Sequence, residues 1–504
     1  MKQPILKSLL ILQAAGLWSL MLLFSSCSDN STLNKVPASA EWVVYADFKK
    51  LAIQAFSIQD LFDLQGKSSN QGKSGDEEEV SWNDLGIDML SKAVVFQKPI
   101  GEDKKLGIVM IPLSNKTDFL AFCEKKGKFK PDNTLGEGWI SNGKIAVFAA
   151  ENLAAGFLEP EKVSSSILKA ELDSLLNQSG SSNLLKNSKG FEGLVSEGKS
   201  LAYWANTSSL MDGSANPFQP DFLRGELCSS IDFQTGQLVM DARLTPEESQ
   251  KGKSIMGNPL TTELLNEGMK GSKSPVFLAF SLSVRKIFDL LNSSQFGAGA
   301  DEFLRAYGIS RDDLINELTG EIAVSMIPGN GKAIVGTPEI RMLIGTRNGP
   351  DNLINSMVKS GILSPSSGGN YKMNGMNGYL ISKTGRTISI QPENHNPAAD
   401  SPDENLAAFL LKEPSVMAGS IDFENFDKTY PTEKQSPQAA KVIGKWSNLF
   451  FRMKSTEDAS IQLNLSINCR NEDQSSLLAL IETFKLISGE PDEKKQQTSM
   501  NQAF

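Results

Sequence analysis

Hydrophobic and polar positions along the chain fall into short blocks. A buried apolar run ends in a small polar residue and is followed by residues at helical spacing. V-Y-A-D-F-K-K-L (44–51) and A-F-S-L-S-V-R-K-I (279–287) both predict a strand, an N-capping residue (Asp47 or Ser283) and a helix. The next blocks recur in the same order. L-G-I-D-M-L-S-K-A-V-V-F (85–96) matches R-D-D-L-I-N-E-L-T-G-E-I-A-V-S-M (311–326), a short helix and then a strand. The segments 107–122 and 340–355 each predict a strand, a polar turn and a capped helix. G-W-I-S-N-G-K-I-A-V-F (138–148) matches G-Y-L-I-S-K-T-G-R-T-I-S-I (378–390) as a hairpin, with Asn142-Gly143 at one turn. L-A-Y-W-A-N-T-S-S-L (201–210) matches V-M-A-G-S-I-D-F-E-N-F (416–426), and the alternating stretches 228–244 and 451–469 read as a second hairpin pair.

The matches keep their order while the offset drifts from 236 (Asp47 to Ser283) to 216 (Asn206 to Asp422). This is the signature of an internal duplication. The predicted fold class is α+β: two tandem homologous modules, each a largely antiparallel sheet with helices packed on one face. The modules are placed at 38–268 and 272–488, closed by helical segments 246–268 and 475–487. The polar stretches 65–79 and 391–405 and the tail 489–504 fall outside the pattern and are expected to be mobile or disordered.

The N-terminus carries a different pattern. Lys2 and Lys7 precede an apolar run from Leu9 to Phe24 that ends in small residues and Cys27. That is a secretory signal, too short for a comfortable membrane span and without stop-transfer charges behind it. It resembles the bacterial lipoprotein signal, with Phe24 as tolerated in Bacteroidota-type signals. The resemblance implies removal of residues 1–26, lipidation of Cys27, and residues 27–37 as lipidated cysteine and tether. The segment V-P-A-S-A-E-W-V-V-Y-A-D-F-K-K-L-A (36–52), heading this order of elements, resembles a family of Bacteroidota envelope lipoproteins known as a domain of unknown function. That resemblance implies architecture and location in the cell envelope, and carries no activity or catalytic residue with it.

Composition narrows the choice of partners. The 504-residue chain has a formal charge of −9, which becomes −11 once Lys2 and Lys7 leave with the signal. An acidic body without a basic patch is repelled by nucleic acid and by anionic lipid headgroups. No second apolar run approaches a membrane span. Cys123, Cys228 and Cys469 are odd in number and far apart, so at most one disulfide can form within the mature chain; buried thiols are expected. The single histidine, His395, sits in a loop-like N-H-N-P stretch and cannot by itself supply a metal site or a triad.

Three sets of residues look like chemistry. G-L-V-S-E-G-K-S (193–200) fits the phosphate-loop letters, but a helix precedes it and a strand follows, the reverse of the order that aims amides at phosphate. Lys73 and G-N-G-K (329–332) fit worse, so no nucleotide is expected. S-V-R-K (283–286) and K-T-G (383–385) resemble two signatures of serine β-lactamases and penicillin-binding proteins, in which Ser283 would be nucleophile, Lys286 its activating partner and Lys383 an anchor. Against this, Ser283 falls at the capping slot held elsewhere by Asp47, Asn206 and Asp422, and the only S-D-N is residues 28–30. Among the mature tryptophans, Trp42 and Trp204 read as core, while Trp82 and Trp139 are candidates for stacking on a sugar. The acidic run Asp76 to Glu79 reads as a solvated charge run, and no calcium loop is present.

The sequence therefore predicts a lipid-anchored cell-envelope protein, on the periplasmic face or the surface of a Gram-negative cell, without cofactor or metal. Its expected role is non-enzymatic binding or scaffolding, with the membrane and an envelope protein as partners. Two alternatives stand beside it: an envelope serine acyl-hydrolase using Ser283 and Lys286, and a non-catalytic glycan or peptidoglycan binder using Trp82 and Trp139.

Overall fold

The computed structural model describes residues 30–55, 85–101, 104–178, 182–211, 223–250, 254–270, 274–292, 297–306, 308–327, 339–375, 378–393, 404–431 and 436–488. Cys27, Lys73, Asp76 to Glu79, Trp82, G-N-G-K at 329–332, His395 and the tail from 489 lie outside the described residues. The chain divides into two compact units: Met1–Gln250 with Ser475–Leu478, and Lys251–Gln474 with Ala479–Phe504.

In unit 1 the sheet follows the order β4 (Lys130–Pro131), β5 (Trp139–Ser141), β6 (Ile145–Ala149), β7 (Leu153–Leu158), β3 (Lys105–Pro112), β2 (Lys92–Pro99), β1 (Trp42–Asp47), β8 (Leu201–Asn206), β9 (Gly225–Gln234) and β10 (Gln237–Pro246). Every one of these pairings is antiparallel. Alternate residues point to one face and are buried: Val43 and Tyr45 on β1, Val94 and Phe96 on β2, Ile108 and Met110 on β3, Ala202 and Trp204 on β8. Onto that face pack α3 (Ser165–Leu176) through Leu168, Leu172 and Leu175, then α4 (Leu184–Asn187) and α5 (Lys189–Glu197) through Leu184, Phe191, Leu194 and Val195. The remaining described α-helices are α1 (Phe48–Ala55) after β1, α2 (Lys116–Lys125) after β3 and α6 (Thr207–Met211) after β8.

Unit 2 has its own antiparallel sheet, in the order β14 (Leu363–Pro365), β15 (Tyr371–Met373), β16 (Tyr379–Thr384), β17 (Thr387–Pro392), β13 (Glu339–Thr346), β12 (Leu318–Ile327), β11 (Val276–Ser281), β18 (Met417–Asp422), β19 (Trp446–Ser455) and β20 (Ile461–Cys469). Strand for strand, this is the order found in unit 1. Its described helices are α7 (Thr262–Met269), α8 (Val284–Asn292), α9 (Gly297–Ala306), α10 (Arg311–Glu317), α11 (Asp351–Lys359), α12 (Glu404–Leu410), α13 (Phe423–Thr429), α14 (Pro437–Ile443) and α15 (Ser476–Ser488). The protein is thus α+β with antiparallel sheets, and no described helix is long and apolar enough to cross a membrane.

Three boundaries differ from the sequence reading. Residues 30–37 are not a tether, because Leu33 and Val36 are fully buried in the unit 1 core and Leu184 N donates to Val36 O at 2.8 Å. The segment 246–268 does not close the first module. Its helix α7 buries Leu264, Leu265 and Met269 against Phe277, Ala279, Ala323 and Leu343 of unit 2. The hairpins 138–148 and 378–390 are also one strand out of step. The first is β5–β6, and the second is β16–β17, whose place in the strand order matches β6–β7. K-T-G therefore occupies the slot of residues 150–152, not of Asn142-Gly143. β7, L-A-A-G-F-L, escapes the pattern because alanine and glycine carry little strand signal.

Unit 2 buries one arginine. Arg341 on β13 is 2 % exposed, and its guanidinium donates to Glu267 O at 2.8 Å, Lys270 O at 3.1 Å and the Glu267 carboxylate at 2.9 Å. It closes the C-terminus of α7, where free carbonyls favour a cation. Removing one partner of a buried pair strands the other, so Arg341→Ala is expected to lower the unfolding free energy by about 3 kcal/mol. Chemical denaturation measures this, and a loss below about 1 kcal/mol, the level of an exposed pair, would contradict it.

Candidate functional site

Two depressions lined largely by charged and amide side chains lie at one end of unit 1. β1 ends at Asp47 and β2 begins at Lys92, and the two residues are cross-strand partners. Asp47 Oδ1 accepts from Lys50 N at 3.1 Å, the N-cap that starts α1. α5 crosses the same end, and the Tyr45 hydroxyl donates to Leu194 O at 2.9 Å. Gly198, at φ 59°, ends α5 in the left-handed conformation, and β8 starts at Leu201. Two adjoining depressions share Lys50 and Gly198. One, of about 370 Å³, is lined by Gln54, Glu197, Lys199 and Asp232; the other, of about 420 Å³, by Asn30, Asp47, Lys49 and Lys92.

Lys92 is 4 % exposed. Its ammonium donates to Asn30 Oδ1 at 2.9 Å and lies 5.7 Å over the Tyr45 ring. Among the described residues it forms no ion pair within 4.0 Å. Burial pulls its pKa below the ordinary lysine value; the nearby Asp47 charge opposes that pull and Lys50 adds to it. Burial, with Glu197 and Asp47 nearby, raises the Tyr45 phenol, so it stays a neutral donor. Asp232 behaves oppositely: burial would raise it, but hydrogen bonds from Gln54, Gln234 and Ser200 and the charge of Lys199 hold its carboxyl below the usual range. Lys50 Nζ is bound to Gly198 O, and Lys199 approaches Asp232 at 4.0 Å. Such an arrangement offers cationic and amide donors to an anion. Ser196, which lines the second depression, donates to Glu192 O at 2.8 Å, and the Ser200 hydroxyl is fully buried and donates to Gln54.

The phosphate-loop letters at 193–200 thus form the end of a helix running into a strand. The last helical residues occupy 193–197, and the second glycine is a C-cap rather than a phosphate cradle. Sequence reasoning placed no site here. Lys92 falls within 85–96, read only as a short helix and then a strand, and it is the pairing of β1 with β2 that sets it beside Asp47, with Asn30 reaching it from the start of the described chain.

The candidates drawn from sequence are dispersed. Ser283 Oγ accepts from Lys286 N at 3.5 Å, while Lys286 Nζ donates to Ser254 O at 2.8 Å. Lys383 binds the Asp351 carboxylate, a hydrogen bond that raises its pKa, and lies 5.7 Å over the Tyr371 ring. The capping slot is filled alike in all its instances. Asn206 accepts from Ser208 N at 3.1 Å and Asp422 from Asn425 N at 2.8 Å. Trp139, a candidate sugar contact, is instead core: it is 4 % exposed, with ring centroids 5.6 Å from Phe148 and 5.5 Å from Phe157. Its strand β5 turns the indole toward the helix-covered face. Cys123, Cys228 and Cys469 are free thiols, Cys123 and Cys469 buried and Cys228 half-buried. Among the described residues no group of three His, Cys, Asp or Glu is placed to hold a metal.

No family model and no curated protein matches the chain. Among solved structures, crystal form I of TP0453 is similar over 43 % of this chain and 79 % of that chain, at 12 % identity and a TM-score of 0.26. Crystal form IV of TP0453 is similar over 42 % and 79 %, at 15 % identity and a TM-score of 0.25. A likeness this loose carries no argument about function.

Two outcomes are expected from this geometry. Ser283→Ala should cost about 1 kcal/mol as a lost cap and leave labelling by a fluorophosphonate or β-lactam probe unchanged. Labelling of the native protein that this variant abolishes would restore the hydrolase reading. The second concerns Lys92. Because its folded pKa lies below 10.5, the unfolded chain binds more protons in the window between the two values, and the Lys92 contribution to stability rises with pH there. The stability of the native protein relative to Lys92→Met should therefore increase between neutral pH and about 10.5, where the folded-state penalty is relieved. A flat difference would show that Lys92 titrates as an exposed lysine.

Proposed function

We propose that this chain is a lipid-anchored cell-envelope protein, held through Cys27, with a non-enzymatic binding or scaffolding role and built from two homologous modules. The identical strand order of the two units supports the duplication. The observation that carries the anchoring role is how early folding begins. Asn30 already touches Lys92, and Leu33 is fully buried. Only three peptide units separate Asn30 from Cys27, at most about 11 Å of extended chain. An acyl group on Cys27 would therefore hold unit 1 close against the bilayer instead of on a long leash. The dispersal of Ser283, Lys286 and Lys383 among a cap, a backbone carbonyl and an ion pair favours binding over acyl transfer.

The reading is tested by metabolic labelling with an alkyne-bearing palmitate and by the intact mass of the mature protein. A chain that begins at residue 27 and carries acyl groups is expected, and Cys27→Ala should lose the label entirely. Label retained in that variant, or a mature N-terminus elsewhere, would contradict lipid anchoring.

A further inference from the structure

We propose that the Asn30–Asp47–Lys49–Lys50–Lys92 depression of unit 1 binds a phosphate ester, and that its occupant is the headgroup phosphate of a phospholipid in the anchoring leaflet. The first argument is charge. The depression brings together three lysines and one aspartate, a local excess of cations in a chain of net charge −9. The second is an incompletely neutralised buried cation. Lys92 is more than nine-tenths buried, yet its ammonium meets a neutral amide oxygen and a ring face instead of a carboxylate, among the described residues. Buried charges are ordinarily paired. Asp47, its cross-strand partner, is already engaged with the first turn of α1, which itself presents its positive end here. An anion in the depression would complete Lys92, and Lys49 and Lys50 stand at the same rim.

The two units supply a third argument, resting on the proposed duplication. Aligning Asp47 with Ser283 puts Thr319 at the place of Lys92, because Ala46 pairs with Ala93 as Leu282 N bonds to Gly320 O. Unit 2 keeps the strands and the cap at this position without a buried lysine. The fold therefore does not demand Lys92, and its burial is a feature of unit 1 alone.

A lipid, rather than free phosphate, is favoured by position. Asn30 lines the depression and lies within about 11 Å of Cys27 along the chain, so the lipid-anchor reading places this end at the headgroups. That choice of source rests on the reading above; phosphate recognition itself does not.

The test uses the lipidated protein in a neutral maltoside detergent, titrated by calorimetry with glycerophosphoethanolamine and, separately, with inorganic phosphate. The headgroup compound is expected to bind more tightly than inorganic phosphate. The affinity should fall at least about tenfold in Lys92→Gln, and likewise in Lys49→Gln/Lys50→Gln, which changes only residues at the rim and guards against misfolding of the first variant. No binding of either compound, or binding that the rim variant leaves unchanged, would overturn the proposal. Equal or tighter binding of inorganic phosphate would overturn the lipid assignment. The mass of the same sample reports acylation of Cys27, so failure of the anchor and failure of the site are read separately.

Discussion

Each sheet is built outward from its first strand. β1 is paired on one side with β2 and on the other with β8, and β11 likewise with β12 and β18. The chain must travel some 150 residues between β1 and β8, so no local turn fixes their register. The alternation of buried and half-exposed residues fixes it instead. A slip of one residue would turn Val43 and Tyr45 out of the core and bring Val44 and Trp42 under α5. On β2 the five residues Lys92 to Phe96 are all buried, and the register with β1 sets Lys92 opposite Asp47 at the end of the row that carries Val94 and Phe96. The groove is a consequence of register.

The strand–cap–helix blocks were legible because their residues carry local signals. Asp47, Asn206, Ser283 and Asp422 all make the capping bonds that their side chains suggest, and the long alternating hairpins β9–β10 and β19–β20 appear where the pattern puts them. What escaped was decided by tertiary packing. Leu33 and Val36 are isolated apolar residues in a polar segment, and only contact with α4 and the sheet reveals them as core. The two- and three-residue strands β4, β14 and β15 are too short to show a period, and missing β15, with the alanine- and glycine-rich β7, displaced one hairpin of the comparison by a strand. Helix α7 is amphipathic by itself, but its sequence does not say which sheet receives it. The Lys92 groove was invisible for a related reason: its members come from residues 30, 47–50 and 92, and no spacing along the chain links them.

The motifs that looked most like chemistry were the ones the fold used for structure. The glycine and lysine of the phosphate-loop letters terminate a helix, and the serine behind them is sealed beneath Gln54. Ser283 caps, Lys286 ties a loop carbonyl, and Trp139 fills space between Phe148 and Phe157. With those roles occupied, the polar depression formed by Asn30, Asp47, Lys49, Lys50 and Lys92 lies at one end of unit 1, beside the point where the described chain begins. Anchoring and recognition would then share one surface.

The most direct measurement of that claim is membrane depth. Spin labels would be placed at Ser196→Cys, on the rim of the groove, and at Lys104→Cys, beyond the far end of β2, in the lipidated protein on vesicles. Burial pushes the native thiols Cys123 and Cys228 up to about 12 and Cys469 to about 11, which leaves them poorly reactive toward the label. A strand of eight residues separates the two ends by about 23 Å. The account predicts that residue 196 lies at headgroup depth and residue 104 well out in water. Equal exposure of both, or the reverse order, would contradict it.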